Sequence, residues 1–171
     1  RYSTDEQWLA PHFEKMLYDN ALLTRIYAQA FVVTGEAAYE RVVRETLDYV
    51  LREMTHADGA FYSATDADSE GVEGKFFVWT PAEVQGVLEA ADARAFCAYY
   101  DVTAHGNWEG HSILRTPRTL DEVAADLKLE PTQLRAQLDA AKAKMLAARG
   151  ERVPPLLDDK VLTAWNALMI G

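Results

Sequence analysis

The sequence predicts an all-α protein that forms part of an α/α toroid and carries one short two-stranded β element. Residues 13–33 place apolar side chains on nearly every side of a helix, whereas residues 37–54 place them on one face only. A helix buried all round, joined by a tight turn to an amphipathic helix, is typical of two concentric helical layers. The β element is predicted from two runs of aromatic and branched residues, 76–79 and 111–114, which we expect to pair antiparallel.

The N-terminal part is predicted to form an extended segment followed by an inner helix. Pro11 disfavours a helix through residue 10, so we expect residues 1–11 to be extended and anchored by Tyr2 and Trp8. The inner helix should then begin near His12. We expect the loop that follows the outer helix to pack back on this start.

An acidic segment follows the outer helix and is predicted to be a loop. Its carboxylates and glycines are Asp66, Asp68, Glu70, Glu73, Gly71 and Gly74. The glycines disfavour a helix, and the carboxylates repel one another unless a cation, hydrogen-bond donors or water stand between them. The segment is therefore either a solvated surface loop or the polar rim of a cavity. In an α/α toroid, this end of the helices is where sites lie.

Two capping boxes mark the next helix starts. Thr80 and Thr119 are each followed three residues later by a glutamate, which predicts a helix from each. The first should reach about residue 90, a further helix should span residues 92–100, and the helix after Thr119 should reach about residue 128.

The C-terminal part is predicted to contain an outer and an inner helix. The outer helix begins at Pro131 and ends near Gly150, and its apolar stripe is Leu134, Leu138, Ala141 and Met145. Residues 153–157 must be extended because they contain two prolines. Asp158 or Asp159 is expected to cap the last helix.

Composition excludes several kinds of partner. The 171 residues are 49% hydrophobic, which is typical of a globular domain. The net charge is −10 without a basic cluster, so neither nucleic acid nor an anionic membrane is an expected partner. No apolar run approaches the roughly 20 residues of a membrane span, and no signal peptide opens the chain, so a cytoplasmic protein is expected. Cys97 is the only cysteine, which leaves no disulfide framework, and no cofactor is indicated.

Several runs of residues together resemble a known family. They are RYSTD (1–5), PHFEKMLYDNA (11–21), GAFYSA (59–64), DADSEG (66–71), EGKFFVWT (73–80), GNWEG (106–110), DDK (158–160) and WN (165–166). The family is called YyaL-like or spermatogenesis-associated, and its members carry a thioredoxin-like domain followed by a helical toroid. Departures are small: Ala60 stands where a second glycine is usual, and Trp108 and His111 vary in the second loop.

The resemblance implies the place of this chain in a longer protein. Residues 1–171 would be a fragment of one α/α-toroid domain, similar to six-hairpin glycosidases and sugar 2-epimerases. The thioredoxin-like domain of the same parent chain would be a partner. A connection to sugars follows only by analogy of fold, and fold does not determine function.

The predicted start of the inner helix carries the first group of candidate residues, His12, Glu14, Lys15, Tyr18 and Asp19. Helical spacing would place residues 12, 15 and 19 on one face and residues 14 and 18 on a neighbouring face. Buried helices seldom carry so many ionisable residues without partners, so this group should converge with the acidic segment. The alternative is that His12 and Glu14 merely cap the helix.

Three roles compete for the acidic segment. Two of its carboxylates could act as general acid and base on a sugar. The spacing of Asp66, Asp68 and Glu70 matches the first half of an EF-hand loop, but Phe77 stands where the bidentate glutamate is needed, so no metal is expected. Alternatively, Lys75 could neutralise one acid in a salt-bridge network.

The leading hypothesis is a carbohydrate-processing or carbohydrate-binding segment that takes a small-molecule sugar; whether it is an enzyme stays open. The preferred catalytic residues are His12, Glu14, Asp66 and Asp68. The expected substrate-binding residues are Lys15, Tyr18, Asp19, Tyr62, Glu70, Glu73, Lys75, Trp79, Asp159 and Trp165. Aromatic residues would suit a sugar face, although at these spacings they more often belong to a core. The alternative function is a non-catalytic helical scaffold that docks the thioredoxin-like domain.

Both ends of the sequence look cut. The chain begins without a methionine, and an apolar helical pattern is still gaining length at its last residues. A partial toroid would expose apolar helix surface that the complete ring buries, chiefly along residues 22–33 and 162–170. Because large exposed apolar patches normally find a partner, we expect two copies of the isolated chain to associate.

Overall fold

The structure, a computed structural model, describes residues 2–171. Within this range the chain is mostly helical, with seven α-helices and five strands of two residues each. The residues form two compact units, one of His12–Glu73 with Pro155–Gly171 and the other of Tyr2–Pro11 with Gly74–Pro154. The prediction of a mostly helical fold with a small antiparallel β element is therefore confirmed, and the toroid stays a prediction. No helix in the described range is long and apolar enough to cross a membrane.

The first unit is built on a helical hairpin. Helix α1 (Leu17–Thr34) ends at Gly35, whose φ of +72° gives a left-handed cap, and α2 (Ala37–Glu53) follows. Helix α7 (Thr163–Ile170) packs against α1. Leu17, Val50 and Met54 are fully buried in this unit and form its core cluster.

A three-stranded antiparallel sheet joins the start of α1 to two distant segments. Its strands are β1 (Lys15–Met16), β2 (Ala64–Thr65) and β5 (Leu157–Asp158), in the order β1-β2-β5. Lys15 lies opposite Thr65, and Ala64 lies opposite Asp158. The prediction that the loop after α2 packs back on the start of α1 is confirmed by this pairing.

The predicted helix start near His12 is wrong, because α1 begins five residues later. Residues 15 and 16 are held extended by β2, and the amide of Leu17 donates to the carbonyl of Ser63 at 2.8 Å. Backbone groups that pair with a strand cannot also close helical turns. His12, Glu14 and Lys15 therefore do not share helix faces with Tyr18 and Asp19.

Helix α1 is not buried on all sides within this chain. Ile26, Val32 and Val33 are 61%, 83% and 84% exposed, and Ile170 of α7 is 78% exposed. The expected exposure of apolar surface along residues 22–33 and 162–170 is thus confirmed. A helix with this composition would lose that exposure only against a further partner.

The acidic segment contains a hairpin that the sequence interpretation missed. Strands β3 (Asp68–Ser69) and β4 (Val72–Glu73) pair antiparallel, with Asp68 opposite Glu73. The turn residues Glu70 and Gly71 both have positive φ, at +54° and +75°. Positive φ at both central residues is the geometry of a tight hairpin turn, so the glycine was the available signal.

The second unit contains four helices. They are α3 (Pro81–Val87), α4 (Ala90–Tyr100), α5 (Leu120–Leu127) and α6 (Pro131–Gly150). Both predicted capping boxes are present, at Thr80 and at Thr119. The predicted stripe of α6 is buried, and it packs against the three shorter helices. The helices of this unit are therefore confirmed, with boundaries within a few residues of those predicted.

The predicted pairing of residues 76–79 with residues 111–114 is reduced to one bridge. Trp79 and Ser112 exchange two backbone hydrogen bonds, of 3.0 and 2.8 Å. Phe76 and Phe77 form a turn, in which the amide of Phe77 donates to the carbonyl of Gly74 at 2.8 Å. No longer ladder forms because the amide of Phe77, the next residue that would face the partner strand, is already used in this turn.

The N-terminal segment is not anchored by Trp8, which is 81% exposed, and Tyr2 is 46% exposed. Asp5 organises it instead: its carboxylate accepts from the amides of Gln7, Leu9 and Ala10 at 2.8, 3.2 and 2.6 Å. These hydrogen bonds, led by that from Ala10, lower the pKa of Asp5 although burial opposes the shift.

Asp5→Asn is therefore expected to speed hydrogen exchange of the Gln7, Leu9 and Ala10 amides. The side-chain nitrogen of the asparagine would face backbone N–H groups that donate to a carboxylate oxygen in the unchanged chain. In the unchanged chain, the lowered pKa means that the Asp5 contribution is present above its unfolded pKa of about 3.9 and is lost as pH falls through the folded value. Exchange measured by NMR checks both statements, with the exposed Glu6→Gln as control. Equal exchange in the two variants would contradict the role of Asp5.

Candidate functional site

Three segments that carry ionisable residues meet at the β1-β2-β5 sheet. Beyond the sheet pairs, the amide of Asp66 donates to the carbonyl of Leu156 at 2.8 Å, and the amide of Ser63 donates to the carbonyl of Asp158 at 3.2 Å. The start of α1, the beginning of the acidic segment and the residues before α7 are thereby held side by side. This convergence defines the candidate site.

Buried hydroxyl groups hold β2 in place. Ser63 is 1% exposed and its Oγ donates to the carbonyl of Asp158 at 3.0 Å. Thr65 is also buried, and its Oγ1 lies 3.2 Å from the hydroxyl of Tyr49. Because buried polar groups are costly without partners, these contacts fix the sheet. Sequence reasoning missed both residues; the alternation of polar and apolar residues at 62–65 was the only signal.

His12, Glu14 and Lys15 lie in the extended segment ahead of α1. His12 Nδ1 and Glu14 Oε2 are 3.8 Å apart, with the two side chains 23% and 32% exposed. Lys15 Nζ donates to the carbonyl of Phe13. His12 and Glu14 thus form a half-buried acid–base pair next to the sheet. Asp19 lies half-buried in the first turn of α1.

The four carboxylates of the acidic segment are exposed. Asp66 Oδ1 accepts from the amides of Ala67 and Asp68, at 2.6 and 3.3 Å, so this carboxylate shapes its own turn. Asp68 and Glu73 lie directly opposite each other across the hairpin, and like charges in that position repel. The hairpin therefore carries a concentration of negative charge beside the sheet.

Aromatic residues from the predicted set fall into two groups. Tyr18 and Trp165 are brought together, with ring centroids 4.8 Å apart in an edge-to-face arrangement. Tyr62 instead contacts His56 edge to face, at 5.7 Å. Lys75 and Trp79 belong to the second unit, where Lys75 is exposed and Trp79 is 4% exposed.

The residues before α7 do not cap it as expected. The N-cap of α7 is Leu162, and Asp158 lies in β5. Asp158 Oδ2 lies 2.8 Å from Lys160 Nζ, and the side-chain hydrogen bond with Lys160 is the main cause that lowers the pKa of Asp158. This carboxylate therefore stays ionised and is suited to accept hydrogen bonds, not to donate a proton. Asp159 is exposed next to it.

Asn166 is a further residue that sequence reasoning missed. Its side-chain amide accepts from the amide of Phe61 at 2.8 Å and donates to the carbonyl of Phe61 at 2.9 Å. The side chain of Asn166 thus makes the pair of hydrogen bonds that the backbone of a neighbouring strand would make. These bonds connect α7 to the residues just before β2. Asn166 belongs to one of the resembling runs, but nothing in its spacing points to a distant backbone partner.

Comparison with known proteins gives relatives over the whole chain. The chain is 38% identical to spermatogenesis-associated protein 20 of Homo sapiens, and 38% identical to that of Mus musculus. It is 32% identical to an uncharacterized protein of Caenorhabditis elegans over 99% of its own length. The chain spans about a quarter of the length of these relatives, 25% and 27% for the human and nematode proteins. No protein-family model matches it.

The relatives are thus similar to this chain along one part of a longer sequence. Their names state no substrate, and the similarity establishes neither a toroid nor a thioredoxin-like domain. Within residues 2–171, no group of three or more His, Cys, Asp and Glu side chains is placed to hold a metal ion. The function must therefore be argued from the sheet and the side chains around it.

Proposed function

We propose that the chain is a carbohydrate-binding or carbohydrate-processing segment of an α/α toroid in a longer protein. The convergence of three ionisable segments at the β1-β2-β5 sheet supports this proposal. A sugar offers hydroxyl groups, which carboxylates bind by hydrogen bonds, and an apolar C–H face, against which aromatic rings pack. The rigid hydrogen-bonded sheet would preorganise these groups.

The side chains divide into three roles. His12, Glu14, Asp66 and Asp68 would supply the acid and base, since cleavage or epimerisation of a sugar needs one group that holds a proton and one that accepts it. Lys15, Asp19, Glu70, Glu73 and Asp159 would bind hydroxyl groups, whereas Lys75 and Trp79 lie in the second unit and are not part of this set. Tyr18, Trp165 and Tyr62 would present apolar ring surface to a sugar face.

The test is calorimetry on a longer protein that contains this chain, with a panel of neutral mono- and oligosaccharides. Asp66→Asn and Asp68→Asn are expected to weaken sugar binding by about tenfold or more, the effect of losing one or two charged hydrogen bonds. Asp48→Asn, at an exposed position on α2, serves as the control. Absence of binding to every sugar in the panel would contradict the proposal.

A second candidate function is a non-catalytic scaffold that docks a thioredoxin-like domain of the same parent chain. The exposed apolar surface of α1, where Val32 and Val33 are more than four-fifths exposed, favours it. In this case Asp66→Asn with Asp68→Asn would leave domain docking intact, whereas Val32→Asp would weaken it. Docking without any sugar binding would favour the scaffold over the enzyme.

We also propose that the isolated 171-residue chain self-associates through α1 and α7. Replacing Val33 and Ile170 by aspartate is expected to shift the chain toward monomer, because both residues are more than three-quarters exposed. Sedimentation velocity at micromolar concentration measures the change, with Val153→Asp, an exposed position outside these helices, as control. A monomer with a cooperative thermal transition before any substitution would contradict self-association.

A further inference from the structure

The second unit contains an apolar cleft of about 400 Å³. Trp79, Phe96 and Tyr100 line one side, and α6 contributes Met145 together with Lys142 and Arg149. The cleft continues the core cluster that contains Trp79, Phe96 and Met145. Its volume falls in the range of roughly 300–1,000 Å³ that small-molecule pockets occupy.

Among the residues that the structure describes, two cations and no carboxylate line this cleft, in a chain whose net charge is −10. Lys142 and Arg149 are seven residues apart on α6, which places them on the same helix face two turns apart. The guanidinium of Arg149 lies over the rings of Phe76 and Phe77, at 5.1 and 5.5 Å from their centroids. This stacking fixes the position of Arg149, and Lys142 lies exposed on the same face of α6.

We propose that this cleft binds a small organic anion with an apolar body, such as an aliphatic or aromatic carboxylate. The apolar body would be buried against Tyr100, Leu114 and Leu146, and the carboxylate would lie between Lys142 and Arg149. Burial of the apolar part supplies affinity, and the two cations select an anion over a neutral molecule of the same shape. This site is independent of the sugar proposal, whose ligands are polar and neutral.

The test uses octanoate as the probe and 1-octanol as its neutral counterpart. Binding of each to the whole chain is measured by NMR. Octanoate is expected to shift the indole N–H of Trp79 and the methyl group of Met145, and to bind at least about fivefold more tightly than 1-octanol at low salt. Lys142→Gln combined with Arg149→Gln should remove that preference. Lys144→Gln, on the same helix but outside the lining, should retain it.

A second pair of variants tests the cavity itself. Ala143 lines the cleft and is exposed, so Ala143→Phe should fill the space and abolish the octanoate shifts without removing a core residue. Ala140→Phe, exposed on α6 outside the lining, is the matched control. The proposal would be overturned if 1-octanol bound as tightly as octanoate, or if the double charge variant bound octanoate unchanged. It would also be overturned if octanoate shifted the signals of Val32 and Val33 on α1 as much as those of the cleft.

Discussion

Arg152→Ala is expected to lower the free energy of unfolding by about 3 kcal/mol, the effect of losing several hydrogen bonds to a charged group. Its guanidinium donates to the carbonyls of Lys75, Phe76 and Val78, the last at 2.8 Å. It also lies 3.0 Å from Glu83 and 3.7 Å above the ring of Trp79. One side chain thus holds the turn before α3 against the end of α6.

The magnitude follows from what the substitution leaves behind. Alanine would leave partly buried carbonyl groups without their donor and would uncover the indole of Trp79. Arg152→Lys should recover less than half of the loss, because an ammonium group has no second nitrogen that reaches Glu83 while the first donates to the carbonyls, and it is not a planar group that stacks on the Trp79 ring. Chemical denaturation followed by circular dichroism measures both variants.

Arg118→Ala is the matched control. Arg118 is exposed and forms an ion pair with Asp126, so its loss should cost no more than about 1 kcal/mol. If Arg152→Ala costs no more than Arg118→Ala, the contacts of Arg152 do not hold this part of the second unit together.

Asn166→Asp is expected to lower the free energy of unfolding by about 2–4 kcal/mol at neutral pH, more than Asn166→Ala, because it places a partly buried charge against acceptors. The amide nitrogen of Asn166 donates to the carbonyls of Phe61 and Leu162, at 2.9 and 3.1 Å. Aspartate would put a carboxylate oxygen in its place. Alanine only removes the partner, whereas aspartate adds repulsion.

The cost of Asn166→Asp should depend on pH. Facing two carbonyls, the new carboxyl group would have a folded pKa raised above its unfolded value of about 3.9, since only its protonated form can donate. A raised pKa stabilises the fold at low pH, and this contribution is lost as pH rises through the folded value. The difference from the unchanged chain should therefore be smaller at pH 5.5 than at pH 8.

Asn20→Asp provides the control. Asn20 donates to the carbonyl of Met16 in the first turn of α1, where a negative charge is favourable. The same chemical change should therefore cost less than about 1 kcal/mol there. A cost of Asn166→Asp that is equally small, or that does not change with pH, would contradict the role assigned to Asn166.

Local sequence alone determined several elements. The Thr80 and Thr119 boxes act over four residues, so the helix starts that they predict are correct. The stripe of α6 repeats at helical spacing and is buried as its period predicts. Gly35 caps α1 because only a residue that tolerates positive φ fits there. Such features depend on neighbours along the chain, which the sequence shows directly.

The candidate site was predicted only in part. The return of the acidic segment to the start of α1, and so the convergence of its parts, was foreseen from the order of the helices. The extended state of residues 15 and 16 was not, because β2, which pairs with them, lies about 50 positions away, and β5, which pairs with β2, lies about 140 positions away. Helical periodicity could not reveal that competition.

Tertiary structure alone decided the contacts that single side chains make with distant backbone. Asn166 reaches Phe61 across 105 positions, and Arg152 reaches Lys75 across 77. The residue type shows that donors are present, but their partners are chosen by how helices and loops pack. The same holds for the cation-lined cleft: the spacing of Lys142 and Arg149 put them on one helix face, and only packing placed aromatic rings beside them.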